Sequence, residues 1–592
     1  MKKYSDVLAG WLAELGYTHC FFVAGGNIMH ILESCSHTMT CVPVVHEVAA
    51  GIAAEYFNEL HTGKKAFAMV TAGPGLTNIV TAIAGAYLES RELLVIGGQV
   101  KVPDLARGEV RQRGIQEIDG VAIAAPIAEK AILMEQVVDR ATFAEMIRSG
   151  VHGRKGPVFL ELPLDVQGAQ VDEEKLATPV VIEDAKRFEA VSADAIAEIV
   201  SRLKGAKRPV ILLGAGVDRA TTDELMNKFA GLGIPLMVTW NAMDRLGADH
   251  PLYFGRPNTW GMRYSNILMQ QADVLLALGT RLSLQQTGFN WQQFVPGGAV
   301  VQVDCDRTEL TKGHPKVALA ICGDANQVLR AVASEDLGAH AEWVEFCRGV
   351  RDTLPLVEPV NNPGEGYLSP YVFAEKLSRL TTSEDVVIPC SSGSAFTVMM
   401  QTFAQKLGQR VVTNKGLAAM GYGTSGAIGA AFAAGGRRTI LIEGDGGFMQ
   451  NLQELGTVSA NRLNMKLFIF DDNGYASIRM TQLNYFKGRY VGCDTQTGLG
   501  IPKWGPLFAA YDIPSLGIGP GYETDAEFLK LFNAPGPAAF LVHIDPMQTY
   551  FPKIASRVTA SGGMESNPLH RMTPDLDEAV VAKVLPYLPA QK

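Results

Sequence analysis

The sequence predicts an α/β protein made of three doubly wound parallel sheets, each in its own domain. Three observations predict it. Short apolar runs alternate with helix-length stretches in three successive series, the pattern of parallel sheets covered by helices on both faces. Two stretches of weak pattern, 170–186 and 354–366, separate the series, the second rich in Pro, Asn and Gly. A chain of 592 residues also suits about three domains.

The first domain is expected over 1–170, with helices from Tyr4 to Leu15 and Ala49 to Leu60. Its strands are Cys20 to Val23, Ala66 to Val70, Leu93 to Ile96 and Val158 to Leu162. The second, over 187–335, has strands Pro209 to Leu213, Leu236 to Val238, Val274 to Leu278 and Val300 to Val303. The third, over 366–549, carries strand-like runs at Thr439 to Ile442 and Leu467 to Phe470, joined by a helix from Met449 to Asn461. A tail, 550–592, has one helical stretch, Leu576 to Leu588.

Composition narrows the function classes. With 52 basic against 61 acidic residues the net charge is −9, too weak a field to imply a nucleic-acid or membrane partner. The eight cysteines form no C-x-x-C pair, so free thiols in a reduced compartment are expected, without disulfides or zinc. No apolar run has the length of a membrane span or signal peptide. The expectation is a cytoplasmic protein.

Chemistry concentrates where strands end. Gly444-Asp445-Gly446-Gly447 closes one strand run and Asp472-Asn473-Gly474-Tyr475 the next, with Asn473 28 positions after Asp445. Both turns fall at the carboxyl edge of a parallel sheet, where open α/β sheets bind ligands. An Asp carboxylate and an Asn amide oxygen are hard ligands suited to Mg²⁺, and the glycines let backbone N–H groups approach a diphosphate. That combination is the pattern of thiamine diphosphate (ThDP). Two further segments fit it. Glu47 opens a helix among valines and alanines; ordinarily such a Glu answers the helix dipole, but ThDP chemistry needs a carboxyl group against N1′ of the aminopyrimidine. Thr71-Ala72-Gly73-Pro74-Gly75-Leu76-Thr77-Asn78 follows a strand and could be a generic phosphate loop.

With these pieces in order, the chain resembles the ThDP-dependent acetolactate synthase-like family over almost its whole length. The matching segments are Ala24-Gly25-Gly26, Glu47, the Thr71 to Asn78 loop, Ile115-Gln116-Glu117, Leu162-Pro163-Leu164-Asp165, Gly416 to Gly423, the Asp445 turn and Asp472-Asn473. The resemblance implies Glu47 as catalytic activator and Gln116 as a polar residue facing substrate. It implies Asp445, Asn473 and the Tyr475 carbonyl as Mg²⁺ ligands. ThDP would be held by Gly26, Thr71, Asn78, Gly393, Ser394, Ala418, Met420, Gly446, Gly447 and Ile478, with Met420 bending it so that its 4′-amino group reaches C2. It further implies that Glu47 and the metal turn come from different subunits, so that a homodimer or homotetramer is active. Many family members hold a non-redox FAD in the middle domain. Here Gly214, Gly216, Thr239, Gly279, Arg281, Asp304 and Asp324 match the surrounding segments, although Leu282-Ser283-Leu284 replaces the synthases' Asp-Asp-Arg. FAD is expected.

The reaction expected of such an enzyme is decarboxylation of pyruvate followed by transfer of the two-carbon unit. No adjacent histidines appear, which argues against a simple decarboxylase. The synthases' Trp after the metal Asn is missing from Ala476 to Asn484, and Thr481 or Gln482 takes roughly its place. That suggests an acceptor larger and more hydroxylated than pyruvate. The tail, including 561–569, resembles those of ThDP enzymes in deoxysugar pathways such as yersiniose biosynthesis. The acceptor expected is therefore the keto group of a nucleotide-linked deoxysugar. The alternatives are acetolactate or acetoin formation from small carbonyls, and a non-catalytic scaffold that keeps only the fold.

Overall fold

The computed structural model describes residues 1–61, 63–180, 188–558 and 562–589. Three parallel sheets form the frame. The first contains β1 (Tyr17–Phe22), β2 (Thr40–Pro43), β3 (Lys65–Val70), β4 (Leu93–Gln99), β5 (Lys130–Leu133) and β6 (Pro157–Pro163) in the order β2-β1-β3-β4-β6-β5. The second contains β7 (Pro209–Leu213), β8 (Leu236–Val238), β9 (Val274–Leu278), β10 (Ala299–Asp304) and β11 (Leu319–Cys322) in the order β8-β7-β9-β10-β11. In the third, β12 (Val386–Ile388), β13 (Thr439–Gly444), β14 (Met465–Asp471), β15 (Ser515–Ile518) and β16 (Ala538–His543) run β12-β13-β14-β16-β15. The central strands are buried on both faces, so they read as unbroken apolar runs rather than alternating ones.

The helices that matter here are α1 (Tyr4–Glu14), α2 (Glu47–Leu60), α3 (Pro74–Glu89), α4 (Gly393–Thr402), α5 (Tyr422–Ala434), α6 (Ala476–Phe486) and α7 (Glu578–Val584). The chain divides into two compact units. One is 1–185 with 385–393 and 412–543; the other is 186–384 with 394–411 and 544–592. The first unit holds the first sheet and the five named strands of the third, the second unit the second sheet.

Within the first unit, one face of the first sheet packs on α1 through Leu94, Ile96, Leu160 and Trp11. The other face shares a core with the third sheet, in which Val95 and Phe159 join Leu441, Leu467 and Ile469. The seam is α2 on α5, and small residues set its spacing. A Cβ at Gly429 would lie 2.0 Å from the Ala53 carbonyl oxygen, and one at Gly426 would lie 2.5 Å from the Tyr56 ring. A buried ion pair crosses the same seam. Arg91 Nη1 donates to Glu55 Oε1 at 2.8 Å and Nη2 to the Thr413 carbonyl at 2.7 Å, while the Tyr422 hydroxyl donates to Glu55 Oε2.

Four elements depart from expectation. The helix expected from Met449 to Asn461 is broken into a short 3₁₀ turn, Leu452–Glu454, and a helix, Leu455–Ala460. Asn451 leaves helical geometry at φ −139° and donates its amide to the Gly421 carbonyl at 3.0 Å. The tail helix is shorter than expected because Leu585 precedes Pro586 and leaves helical geometry at φ −124°. The tail also forms a small antiparallel pair, Ser556–Val558 with Met564–Ser566; Ser561 lies outside the described residues. The stretch expected as a linker pairs Gln170–Val171 with Lys2–Lys3 and adds a turn of helix, Glu173–Leu176. Its part from 181 onward lies outside the described residues.

Candidate active site

The order of the third sheet makes the gap between β12 and β13 its switch point, and loops from both strands open there. Gly444, last in β13, pairs with Phe470 in β14. The register therefore puts the Asp445 turn beside the Asp472-Asn473-Gly474 turn. Asp445 is fully buried. Its Oδ1 accepts the Gly446 N–H at 2.6 Å and its Oδ2 the Gly474 N–H at 2.9 Å. Burial nevertheless pushes its carboxyl up to about 7, against the two N–H groups and the nearby Arg479, which lower it.

Asn473 sits at φ 66° and its Oδ1 accepts the Thr495 hydroxyl at 3.0 Å. The Tyr475 carbonyl takes the Arg479 N–H at 2.9 Å and keeps a second lone pair. Arg479, itself buried, braces the turn from below by donating to the Asp472 carbonyl at 2.7 Å and the Asn473 carbonyl at 3.2 Å. Carboxylate, amide oxygen and peptide carbonyl make a hard oxygen set that fits a divalent cation.

The diphosphate side is built of small residues. Around Gly393 (φ 82°) and Gly444 a Cβ would meet nothing within 4 Å, so their faces are open. At Gly446 and Gly447 a Cβ would strike the Tyr475 ring at 2.4 Å and Glu443 Oε1 at 2.7 Å. Gly393 and Ser394 open α4, but the division between the units falls between them, and the structure groups only Gly393 with the metal turn. The loop carrying Ala418 (φ 57°) and Met420 is pinned at both ends. Ser391 Oγ donates to the Ala419 carbonyl at 2.5 Å, and Gln450 Nε2 reaches Met420 Sδ at 3.6 Å. Met420 and Ile478 are both exposed.

The first sheet assembles a second cluster at its own switch point, between β1 and β3. Glu47 starts α2, where the His46 imidazole caps the Val48 N–H. It is buried and accepts the Asn78 amide at 2.9 Å. Thr71 Oγ1 takes the Asn27 N–H at 3.3 Å, and Gly25 is packed against the Thr71 side chain, while Gly26 faces open space. Gln116 (φ 61°) lays its carbonyl on Gly73, where a Cβ would be 2.2 Å away. Glu47, Asn78, Thr71, Gly26 and Gln116 thus gather on one edge.

The two clusters are not together within one chain. Residue numbers fall along α2 (Tyr56, Ala53) as they rise along α5 (Gly426, Gly429), so the helices are antiparallel. Glu47 therefore lies toward the Gly435 end of α5 and Met420 beyond its other end. At ~1.5 Å of rise per residue the two are on the order of 20 Å apart along the helices.

Sequence reasoning missed the groups beneath these clusters. Glu443 is wholly buried between Gly423 and Gly447, and burial raises its carboxyl to about 8; an acid closing the apolar run of β13 was the available signal. Glu161, on β6, is likewise raised to about 8 by burial and accepts Gln99 Nε2 at 3.2 Å. Arg479 and Thr495 carried no signal. Thr481 and Gln482, expected on the acceptor side, make local hydrogen bonds. The Thr481 hydroxyl donates to the Ser477 carbonyl at 2.9 Å, and Gln482 spends both ends of its amide on the Val491 backbone, at 2.9 and 3.1 Å.

In the second unit, the residues expected around FAD lie along one carboxyl edge, after β7, β8, β9, β10 and β11. Much of their capacity is already used. Gly214 and Gly216 are glycines because Gly279 packs on them; Cβ atoms there would lie 2.2 Å from the Gly279 oxygen and 2.8 Å from its Cα. Asp324 caps the helix Ala325–Val332 through the Asn326 N–H, and Asp304 Oδ1 accepts the Asp306 N–H at 3.0 Å. The Thr239 N–H donates to the Leu213 carbonyl at 2.9 Å. The Arg281 carbonyl accepts the Lys312 ammonium, while its half-buried guanidinium has no partner among the described residues.

Comparison with known proteins agrees with this geometry. Three family models match: the N-terminal TPP binding domain of thiamine pyrophosphate enzymes over 2–123, their central domain over 196–332 and their C-terminal TPP binding domain over 391–542. The acetolactate synthase large subunit of Corynebacterium glutamicum is 30% identical over 493 residues, covering 81% of this chain and 76% of that one. The isozyme 1 large subunit of Escherichia coli is 28% identical over 558 residues, 93% of this chain and 95% of its own. The chloroplastic acetolactate synthase 1 of Zea mays is 27% identical over 578 residues, 94% and 87%. The chain belongs to the thiamine pyrophosphate enzyme family, as an acetolactate synthase-like member.

Proposed function

We propose that this enzyme decarboxylates pyruvate on ThDP–Mg²⁺ and transfers the two-carbon unit to the keto group of a nucleotide-activated deoxysugar, giving a branched tertiary alcohol. The observation that carries the carboligase part is Asp445, a buried carboxylate with free lone pairs beside an Asn and a peptide carbonyl, under glycines with open faces. ThDP supplies the carbanion at its C2. The chain's own groups do the rest. Asp445, Asn473 and the Tyr475 carbonyl would hold Mg²⁺. Glu47, kept in place by Asn78, would exchange the proton at N1′, and the Met420 loop would shape the cofactor. Gly393, Ser394, Gly446 and Gly447 would line the diphosphate, with Gly26, Thr71, Ala418 and Ile478 around the rest of the cofactor.

Because Glu47 and the metal turn lie at opposite ends of the α2–α5 seam, a working site needs Glu47 from one copy and Asp445 from another. A homodimer is the smallest assembly that provides both. Production of C–C bonded sugar from labelled pyruvate tests the acceptor; its absence with every nucleotide keto-sugar would remove the sugar reading. The relatives' names favour a second reading, acetolactate formation from pyruvate alone.

We also propose FAD in the middle domain, 187–335. Its support is the row of residues along one carboxyl edge and the unpartnered Arg281 guanidinium, which suits a diphosphate. The flavin would have no redox step to perform. Flavin absorbance of the purified protein tests this.

A further inference from the structure

Between β4 and the Gly120 turn the chain makes an arm, 105–117, that none of the roles above explains. It carries Arg107, Arg111 and Arg113, all exposed, just ahead of Gln116. The arm is held from inside. Glu117 is buried, and its carboxylate accepts three backbone N–H groups: Ala106 on Oε1, and Arg113 (3.0 Å) and Gly114 (2.8 Å) on Oε2. Burial opposes the charge, but these N–H groups hold the carboxyl below its ordinary value. Gln99 adds a bond from Nε2 to the Ile118 carbonyl at 3.1 Å. The apex rests on Gly73 through the Gln116 carbonyl, and Gly73 belongs to the loop that leads to Asn78 and so to Glu47.

The arginines are available. Arg111 makes no ion pair or hydrogen bond among the described residues. Arg113 reaches Glu109 at 3.5 Å, with both side chains largely in solvent; such an exposed pair is weak and yields to a stronger anion. Arg107 is paired with Glu135. A monoanionic 2-keto acid needs one guanidinium. An arm that offers two free or easily freed forks, pre-shaped by Glu117, suits a dianionic group with several oxygens.

We propose that this arm reads the acceptor: Arg111 and Arg113 take the diphosphate of the nucleotide-linked sugar while Gln116 faces its keto carbon. The inference rests on the sugar-carboligase reading and names the part of the acceptor that the protein recognises.

The test uses the holoenzyme saturated with ThDP and Mg²⁺, so that added diphosphates cannot enter the cofactor site. Inorganic pyrophosphate and the common nucleoside diphosphates are titrated by calorimetry into the wild type, Arg111→Ala/Arg113→Ala and Arg111→Lys/Arg113→Lys. The wild type should bind at least one nucleoside diphosphate, the Ala pair at least tenfold more weakly, and the Lys pair in between, because charge remains but the fork is lost. No nucleoside diphosphate binding, or equal binding by the Ala pair, would overturn the proposal. Turnover of a nucleotide keto-sugar separates it from the reading beneath it. Arginine-dependent binding with no sugar product keeps the arm and removes the carboligase reading. Sugar product with an unchanged KM in the Ala pair keeps the carboligase and removes the arm; a KM raised tenfold or more at similar kcat supports both.

Discussion

The carboxyl edges of the second and third sheets have similar ingredients and use them differently. In the third, a Cβ at Gly393 or Gly444 would meet nothing within 4 Å, and Asp445 is a buried carboxylate held by two backbone N–H groups. In the second, Gly214 and Gly216 are filled by Gly279, and Asp324 is spent on a helix cap. Glycines and acids after strands are therefore not in themselves a ligand site. What marks one is bonding capacity the fold leaves unused.

The largest effect that could break this comparison is at Asp445. Asp445→Ala should abolish carboligation and saturable ThDP–Mg²⁺ binding, as followed by intrinsic fluorescence, whereas Asp324→Ala should cost the cap alone, about 1 kcal/mol in a denaturant melt. If Asp324→Ala expelled a bound flavin, Asp324 would be a flavin ligand and not only a cap. Next is the two-copy site. Glu47→Gln and Asp445→Asn should each be inactive, but mixed and refolded together they should regain activity in the hybrid; no recovery in a verified hybrid would place both groups in one chain.

The α2–α5 seam gives a third prediction. Arg91→Ala leaves Glu55 charged and unpaired in the core, and should destabilise the chain by about 3–5 kcal/mol, against under ~0.5 kcal/mol for the exposed Arg330→Ala. The last prediction concerns pH dependence. Asp445 is raised to about 7, and Glu161 and Glu443 to about 8, from 3.8 and 4.5. For acids raised on folding, the folded state binds more protons than the unfolded one between those limits. Metal-free stability should thus fall gradually as pH rises from about 4 to about 8. Mg²⁺ should flatten the Asp445 share, and its affinity should drop as pH falls below about 7 because the proton competes for the same carboxylate. A Glu161→Gln variant should lose part of the slope.

Much of this was legible in the sequence. The apolar runs located every strand named from them, because strands buried on both faces need continuous apolar sequence. The two turns after β13 and β14 were legible because cofactor chemistry demands those residue types at strand ends. Edge strands such as Thr40–Pro43 and Ser515–Ile518 were not, being short and half-exposed. The break at Asn451 escaped notice because it depends on Gly421, thirty positions earlier. Gln482 read as a polar residue in roughly the place of a Trp; that its amide bonds the Val491 backbone depends on a partner that only the folded loop supplies.

The most direct test is to incubate the purified protein with ThDP, Mg²⁺ and labelled pyruvate, with and without nucleotide-linked keto-deoxysugars, and to read the products by mass spectrometry. A sugar heavier by the labelled two-carbon unit, formed only when the sugar is present, is the predicted result. Acetolactate or acetoin alone, unchanged by any sugar, would contradict it and return the enzyme to small-carbonyl chemistry.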